Sequence, residues 1–173
     1  MPDLCSYTTM LLAYVNAPDM EGAEKFFKRL IQDGFEPNVV TYGTLIKGYA
    51  KANDIERVME KYEEMLGRGI KANQTILTNI MDAHGKSGDF DSAVHWFKEM
   101  VLNGLLPDQK AKNILLSLAK TEEDIKEANE LVLHSIEINN LPKVNDHEED
   151  DDDDDEEDNY EYFDTQDAIA YDE

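Results

Sequence analysis

The sequence predicts an all-α fold built from a repeated pair of helices and followed by a disordered acidic tail. Two observations support the repeat: three residue types recur every 35 positions, and apolar residues within each interval recur at helical spacing. A third observation separates the tail, since 17 of the 39 acidic residues lie between Val144 and Glu173, where Lys and Arg are absent. We therefore expect a folded region to about residue 143 and a separate tail.

The 35-residue period is visible in three independent ladders of residues. The proline ladder is interrupted once, by Ala72; the aspartate ladder is uninterrupted, and the glycine ladder ends in asparagine. The members are Pro2, Pro37, Pro107 and Pro142, then Asp19, Asp54, Asp89 and Asp124, and finally Gly34, Gly69, Gly104 and Asn139. Because three residue types share one spacing, we interpret the period as a structural repeat.

Each interval begins with a predicted helix, as the spacing of Tyr42, Leu45, Ile46 and Tyr49 illustrates. The ladder aspartate follows where a second helix is expected to start, as an N-cap that accepts from backbone N–H groups. The glycine, or Asn139 in its place, is expected to end that helix. The proline then keeps the chain extended before the next helix.

The predicted units are helix-turn-helix hairpins that cannot bury their apolar stripes alone, so neighbours are expected to stack into an α-solenoid. Their bounds are 4–38, 39–73, 74–108 and 109–143. The last unit is expected to be a degenerate cap, because Lys112 and Ala119 stand where the first two units have tyrosine. Pro2 belongs to a unit that is otherwise missing, so we expect Met1 to begin a fragment or a truncated form.

Charge and composition argue against several classes of protein. The net charge of -23 is concentrated in residues 144–173, and residues 1–143 hold 22 acidic and 16 basic residues, as is ordinary for a helical domain. No apolar run approaches the ~18 residues of a membrane span. Cys5 is the single cysteine, and we find no metal-ligand spacing, nucleophile constellation or phosphate loop. We therefore expect no membrane association, metal, cofactor or catalysis.

Four segments resemble the pentatricopeptide repeat: Gly34–Asn38, Val39–Ile46, Gly69–Lys71 and Ala93–Met100. They share the phase of the ladders, and the resemblance covers residues 2–143. It is closest to the class built purely from 35-residue units. The resemblance implies a right-handed α-solenoid that binds single-stranded RNA, one nucleotide per repeat. It further implies a non-catalytic role in organelle RNA processing, stabilisation, splicing or translation, with the chloroplast slightly preferred over the mitochondrion.

We number the residues of each unit as places 1 to 35, starting from its first residue. Places 2, 5, 9 and 13 then lie on one face of the first helix, beside the apolar stripe. Most of these residues are small or form hydrogen bonds, which lets a base approach the helix. Lys51 and Lys86 lie one period apart on this face and suit contacts with phosphate. We therefore expect this face to be the RNA-binding surface.

The resemblance assigns base selection to the fifth and last residues of each unit and a wedge between bases to the second. The base-selecting residues are then Thr8, Asn38, Gly43, Asn73, Thr78, Asp108 and Asn113, and the wedging residues are Cys5, Val40 and Thr75. Thr8 with Asn38 matches the pairing that favours adenine, and Thr78 with Asp108 matches the pairing that favours guanine.

The two other pairs depart from the family's usual set. Gly43 offers no side-chain donor beside Asn73, and Asn113 is paired with Lys143. The parallel polarity of the family then predicts a core of A-N-G, read 5′ to 3′.

The alternative interpretation is a protein-interaction scaffold, favoured by the acidic array and tail. The tail contains six consecutive aspartates, Asp150 to Asp155, followed by Tyr160, Tyr162 and Phe163. Like charges at this density predict disorder. The tail could solubilise the chain, dock its aromatic residues on a basic partner, or fold back on the RNA-binding face as a brake. The sequence leaves these three roles and the oligomeric state open.

Overall fold

The computed structural model describes residues 3–141, and these contain eight α-helices and no strand. The helices are α1 Leu4–Asn16, α2 Met20–Gln32, α3 Val39–Lys51, α4 Ile55–Gly67, α5 Gln74–Lys86, α6 Phe90–Leu102, α7 Gln109–Leu118 and α8 Glu122–Asn140. The predicted all-α fold is confirmed. The predictions for Pro2, Pro142, Lys143 and the tail of residues 144–173 lie outside the described residues.

The first helix of each hairpin begins after a capping side chain. Helices α1, α3, α5 and α7 start at Leu4, Val39, Gln74 and Gln109, at intervals of 35 residues. The residue before each helix has extended backbone, and its side chain accepts from a backbone N–H in the first turn. These four caps are Asp3, Asn38, Asn73 and Asp108.

The aspartate ladder caps three of the four second helices. Asp19, Asp54 and Asp89 accept from the backbone N–H three residues later, at 2.8, 3.1 and 3.0 Å. Each bond satisfies one of the N–H groups that a helix start leaves without an intrahelical partner. The prediction is therefore confirmed for α2, α4 and α6.

The prediction is wrong for Asp124, which is the third residue of α8 rather than its cap. Helix α7 has 10 residues where the earlier first helices have 13, so the turn comes sooner. Thr121 caps α8 instead and forms a capping box with Asp124. The prediction that Asn139 ends the helix is also wrong, because α8 continues to Asn140.

Glycine ends the second helices as predicted. Gly34, Gly69 and Gly104 have φ values of 88°, 78° and 71°, a region that a Cβ disfavours. After α2, the N–H of Phe35 donates to the carbonyl of Leu30 at 3.2 Å, and the same bond recurs after α4 and α6. Each of the first three hairpins therefore closes with the same turn, which delivers the chain to the next first helix in the same orientation.

The hairpins stack as a right-handed α-solenoid with two layers of helices. Helices α1, α3, α5 and α7 pack successively on one another and form a continuous inner layer. Helices α2, α4 and α6 each pack on their own hairpin partner and on the first helix that follows, whereas α8 packs on α7 and α6. The buried core lies between the layers and is predominantly apolar.

Two adjacent places show how much each hairpin depends on its neighbours. Place 7 is fully buried in the last three hairpins but 48% exposed in the first, and place 8 is fully buried in the first three but 39% exposed in the last. The residues are Met10, Leu45, Ile80 and Leu115 at place 7, and Leu11, Ile46, Met81 and Leu116 at place 8. Place 7 therefore packs on the preceding hairpin, and place 8 packs on the following one.

A buried ionic network joins the first two hairpins. The side chain of Lys61 on α4 is 4% exposed, and its Nζ lies 2.9 Å from Glu24 on α2 and 3.2 Å from Glu64. The hydroxyl of Tyr49 donates to Glu24 at 2.9 Å, and that of Tyr42 donates to Glu64 at 3.0 Å. Helices α2, α3 and α4 therefore share one set of compensated charges.

This network shifts the pKa of its members. Burial of Glu24 opposes ionisation, but the hydrogen bond and charge of Lys61 outweigh it and hold the pKa of Glu24 below its ordinary value. Burial, reinforced by the hydrogen bond to Glu24, raises the pKa of Tyr49 to about 12. At neutral pH, Glu24 is therefore ionised and Tyr49 is a neutral donor.

Truncation of the buried lysine tests this network. We expect Lys61→Ala to lower the free energy of unfolding by about 3 kcal/mol, because the glutamates lose their compensating charge in a largely buried site. Urea denaturation followed by circular dichroism measures the change. Lys25→Ala is the matched control: its pair with Glu21 on α2 is exposed to solvent, so we expect a much smaller loss. Equal losses in the two variants would contradict a structural role for the network.

The lowered pKa of Glu24 also predicts an acid-sensitive stability. The contribution of this carboxylate is present above the unfolded glutamate pKa of about 4.3 and is lost as pH falls through the lower folded value. We expect Glu24→Gln to be less stable than the unsubstituted chain at pH 7 and to lose less stability below about pH 4. Thermal unfolding between pH 7 and pH 3 measures this, and parallel curves would contradict it.

Candidate nucleic-acid interface

The caps of the first helices fix the orientation of two asparagines that were predicted to select bases. Oδ1 of Asn38 accepts from the backbone N–H groups of Val40 and Thr41, both at 3.0 Å. Oδ1 of Asn73 accepts from Ile76 N at 3.0 Å. A cap needs an acceptor, so the amide oxygen faces the helix and Nδ2 is left as a donor. In residues 3–141, neither Nδ2 atom has a hydrogen-bond partner.

The corresponding cap in the third unit is the carboxylate of Asp108. Its Oδ1 accepts from Ala111 N at 2.7 Å and from Thr78 Oγ1 at 3.5 Å. The structure thus brings together the fifth and last residues of this unit. Within the described part of the chain, Oδ2 of Asp108 makes no hydrogen bond and stays available as an acceptor.

The structure differs from the expected open face at Thr78, which is 3% exposed. Ile76, Leu77 and Asn79 beside it are also buried. The hydroxyl of Thr78 is therefore covered, and its contact with Asp108 at 3.5 Å is long for a hydrogen bond.

The remaining fifth residues have different surroundings. Thr8 is half-buried, and its hydroxyl donates to the carbonyl of Leu4 at 2.9 Å rather than to Asn38. Asn113 is exposed, and its Oδ1 accepts from Gln109 at 2.9 Å. The pair at the first unit is therefore not joined by a hydrogen bond, and Lys143, the partner of Asn113, lies outside the described residues.

Gly43 leaves room for a side chain in the second unit. A Cβ built on Gly43 would lie 3.5 Å from the nearest side-chain atom, on Ile76, which is ordinary van der Waals contact. The residue is helical, so no unusual φ requires glycine there. The missing donor at this place thus reflects the residue type and not a lack of space.

The predicted wedging residues are all exposed. Cys5, Val40 and Thr75 are the second residues of α1, α3 and α5, and Val40 is 54% exposed. Each follows a capping residue by two positions, so the wedge and the cap lie in the same first turn. Val40 offers an apolar surface on which a base can pack.

The two predicted phosphate-contacting lysines differ in their partners. Lys51 is exposed at the last residue of α3. Nζ of Lys86 donates to the carbonyl of Ala50 at 3.1 Å and lies 3.7 Å from Oδ2 of Asp82. Asp82 also lies 3.5 Å from Nζ of Lys110 on α7. The sequence analysis assigned no role to Asp82 or Lys110.

In residues 3–141, no helix is long and apolar enough to cross a membrane. The same stretch holds no group of three His, Cys, Asp or Glu side chains placed to bind a metal ion.

The stacked hairpins and their capped inner helices define a helical-repeat protein of the α-solenoid class. The model of the PPR repeat family matches residues 2–51 and 37–75, and the PPR repeat model matches residues 75–105. These matches cover more than half of the chain. The chain therefore belongs to the pentatricopeptide repeat family.

Solved structures of the same family resemble this fold. The pentatricopeptide repeat protein PPR10 from maize has a TM-score of 0.69 and 21% identity, over 80% of this chain and 20% of that one. PPR10 in complex with an 18-nt psaJ RNA element has a TM-score of 0.65 and 26% identity, over 81% of this chain and 20% of that one. This chain thus spans about a fifth of their length. A comparison with curated proteins gave no match.

A third similar structure is the PPR domain of Arabidopsis thaliana protein-only RNase P 1 in complex with tRNA. Its TM-score is 0.65 and its identity 18%, over 80% of this chain and 74% of that one. At this identity the likeness concerns the fold alone.

The cap of α3 predicts how its variants will behave. We expect Asn38→Ala to lower the free energy of unfolding by about 1 kcal/mol, because the N–H groups of Val40 and Thr41 lose their acceptor. Asn38→Asp retains an acceptor and should leave stability nearly unchanged. Asn113→Ala, an exposed position inside α7, is the control, with an expected change within about 0.5 kcal/mol. Urea denaturation compares the variants, and equal stability of Asn38→Ala and Asn38→Asp would contradict the capping role.

Proposed function

We propose that this chain is a sequence-selective, non-catalytic module that binds single-stranded RNA through the inner layer of helices. The proposed units are 4–38, 39–73, 74–108 and a capping unit, 109–143. Support comes from the family and from the 26% identity to PPR10 in its complex with an RNA element. We propose organelle RNA processing, stabilisation, splicing or translation as its context, with the chloroplast preferred over the mitochondrion.

The observation that supports this function most directly is the unused atom of each capping residue. The cap occupies Oδ1, and in Asn38 it leaves an N–H donor, whereas in Asp108 it leaves a carboxylate oxygen. Both residues end a unit and lie beside the exposed first turn of the next inner helix. The caps therefore present atoms of opposite hydrogen-bonding character two units apart along the array, with the Asn73 cap between them.

These atoms suit different Watson–Crick edges. The N–H of Asn38 complements an acceptor such as N1 of adenine, and the oxygen of Asp108 complements the N1–H and N2–H donors of guanine. Gly43 contributes no hydrogen bond, so the middle nucleotide is read less selectively. The proposed preference is A-N-G, and lysines such as Lys51 hold the backbone without reading sequence.

Exchange of Asp108 for asparagine tests the reading of the third base. We expect Asp108→Asn to weaken binding of A-N-G RNA about tenfold and to improve binding of A-N-A RNA, because the acceptor becomes a donor. Stability should change little, since asparagine also caps helices. Fluorescence anisotropy with short labelled RNAs measures both affinities.

The matched control is Asp54→Asn, which changes the same chemical group in the cap of an outer helix. It should leave the preference between the two RNAs unaltered. Equal effects of the two substitutions, or an unchanged preference in Asp108→Asn, would contradict base reading by the cap.

A second candidate function is a protein-interaction scaffold. The observation that favours it is charge: residues 1–143 hold 22 acidic and 16 basic residues, and a further 17 acidic residues follow. We propose that the acidic residues of the tail, residues 144–173, recruit a basic protein partner. The salt slope of RNA binding tests the first function, because RNA binding releases counterions from phosphates and weakens steeply as salt rises.

A further inference from the structure

One acidic side chain lies on the RNA-binding face. Among the residues at places 2, 5, 9 and 13 of the four units, Asp82 is the only carboxylate. The other charged residues at these places are the lysines Lys47, Lys51, Lys86 and Lys110. A carboxylate in this surface opposes the approach of a phosphate unless its charge is compensated.

Asp82 is compensated by lysines from two units. Its Oδ2 lies 3.7 Å from Nζ of Lys86, one turn further along α5, and 3.5 Å from Nζ of Lys110, on the neighbouring helix α7. The side chain of Asp82 is 29% exposed, whereas those of Lys86 and Lys110 are 40% and 53% exposed. The three groups form a charged cluster that bridges the third and fourth units and is open to solvent.

The position of Lys110 is unusual for its charge. It is the second residue of α7, where the positive end of the helix dipole disfavours a cation. It also occupies the place that holds Val40 and Thr75 in the preceding units, where an uncharged side chain is expected between bases. The negative charge of Asp82 offsets the unfavourable interaction of Lys110 with the helix dipole. The cluster therefore holds Lys110 two residues from Asp108, the cap that is proposed to read the third base.

The two ion pairs are loose enough to be exchanged. Both distances exceed those of a charge-assisted hydrogen bond, and exposed pairs of this kind contribute little to stability. A phosphate can therefore replace Asp82 as the partner of both lysines. Lys86 would keep its hydrogen bond to the carbonyl of Ala50, which anchors it to the end of α3.

We propose that Lys86 and Lys110 form one phosphate-binding site at the junction of the third and fourth units, and that Asp82 occupies it until RNA binds. The proposal rests on the RNA-binding function and extends it. The fourth unit then contributes to affinity through charge, although its base-selecting pair departs from the family's pattern. Asp82 lowers affinity for RNA and leaves base preference unaltered, because phosphate contacts carry no sequence information.

The experiment measures anisotropy of a labelled A-N-G RNA with the full chain at several salt concentrations. We expect Asp82→Asn to tighten binding about fivefold at low salt, with the gain fading as salt rises. Lys110→Gln should weaken binding and reduce the slope of log K against log salt by about 0.7. Neither substitution should change the ratio of affinities for A-N-G and A-N-A RNA.

Glu63→Gln is the matched control for charge, because it removes one exposed carboxylate from the outer helix α4. Thermal unfolding of Asp82→Asn and Lys110→Gln verifies that the fold is retained. Tightening in Asp82→Asn that exceeds the tightening in Glu63→Gln supports the site. Equal tightening in the two variants, or unchanged or weaker binding in Asp82→Asn, overturns it.

The outcomes separate this site from the proposed function. If the unsubstituted chain binds RNA with base preference and Asp82→Asn has no effect, the site alone is overturned. If no variant binds RNA, the proposed function fails and the phosphate site fails with it. If only Asp82→Asn binds, both are supported, with Asp82 as the group that restrains binding.

Discussion

The architecture depends on the hydrogen bond that the first turn of an inner helix donates to the side chain of the last residue of the preceding unit. A helix start leaves backbone N–H groups without partners, and Asn38, Asn73 and Asp108 each supply an acceptor. The same bond sets where each inner helix begins and which atom of the capping side chain turns away from it. One side chain therefore both caps the helix and carries the atom that is proposed to read a base.

Stacking of the hairpins places the capped inner helices side by side in one surface. Place 7 packs on the preceding hairpin and place 8 on the following one, so each inner helix is held from both sides. The boundaries between hairpins nevertheless differ in chemistry. The first boundary holds the buried charges of Lys61 and Glu24, whereas at the next one Trp96 takes the place of Lys61 and packs edge-to-face on Tyr62. The geometry thus tolerates an ionic or an apolar junction, provided that the buried charges are compensated.

The sequence predicted those features that depend on local chemistry. Asp19 and Gly34 mark a helix start and a helix end because capping and positive φ are properties of a few neighbouring residues. Asp124 failed as a predicted cap because Thr121 competes for the same helix start. The contact between Asp82 and Lys110 was missed because it depends on how α5 packs against α7, which no periodicity within a unit reveals. Burial of Thr78 was missed for the same reason.

The most direct test of the account is NMR of the isotope-labelled chain during titration with A-N-G RNA. We expect the NMR signal of the Asn38 side-chain amide to shift strongly on binding. The backbone amides of Val40 and Thr41 should keep their protection from hydrogen exchange, because the cap on them persists. Two results would contradict this expectation. One is loss of that protection from exchange when RNA binds, and the other is a shift of the backbone signals of α3 that leaves the signal of the Asn38 side-chain amide unchanged. Either result would mean that capping and base reading do not share this side chain.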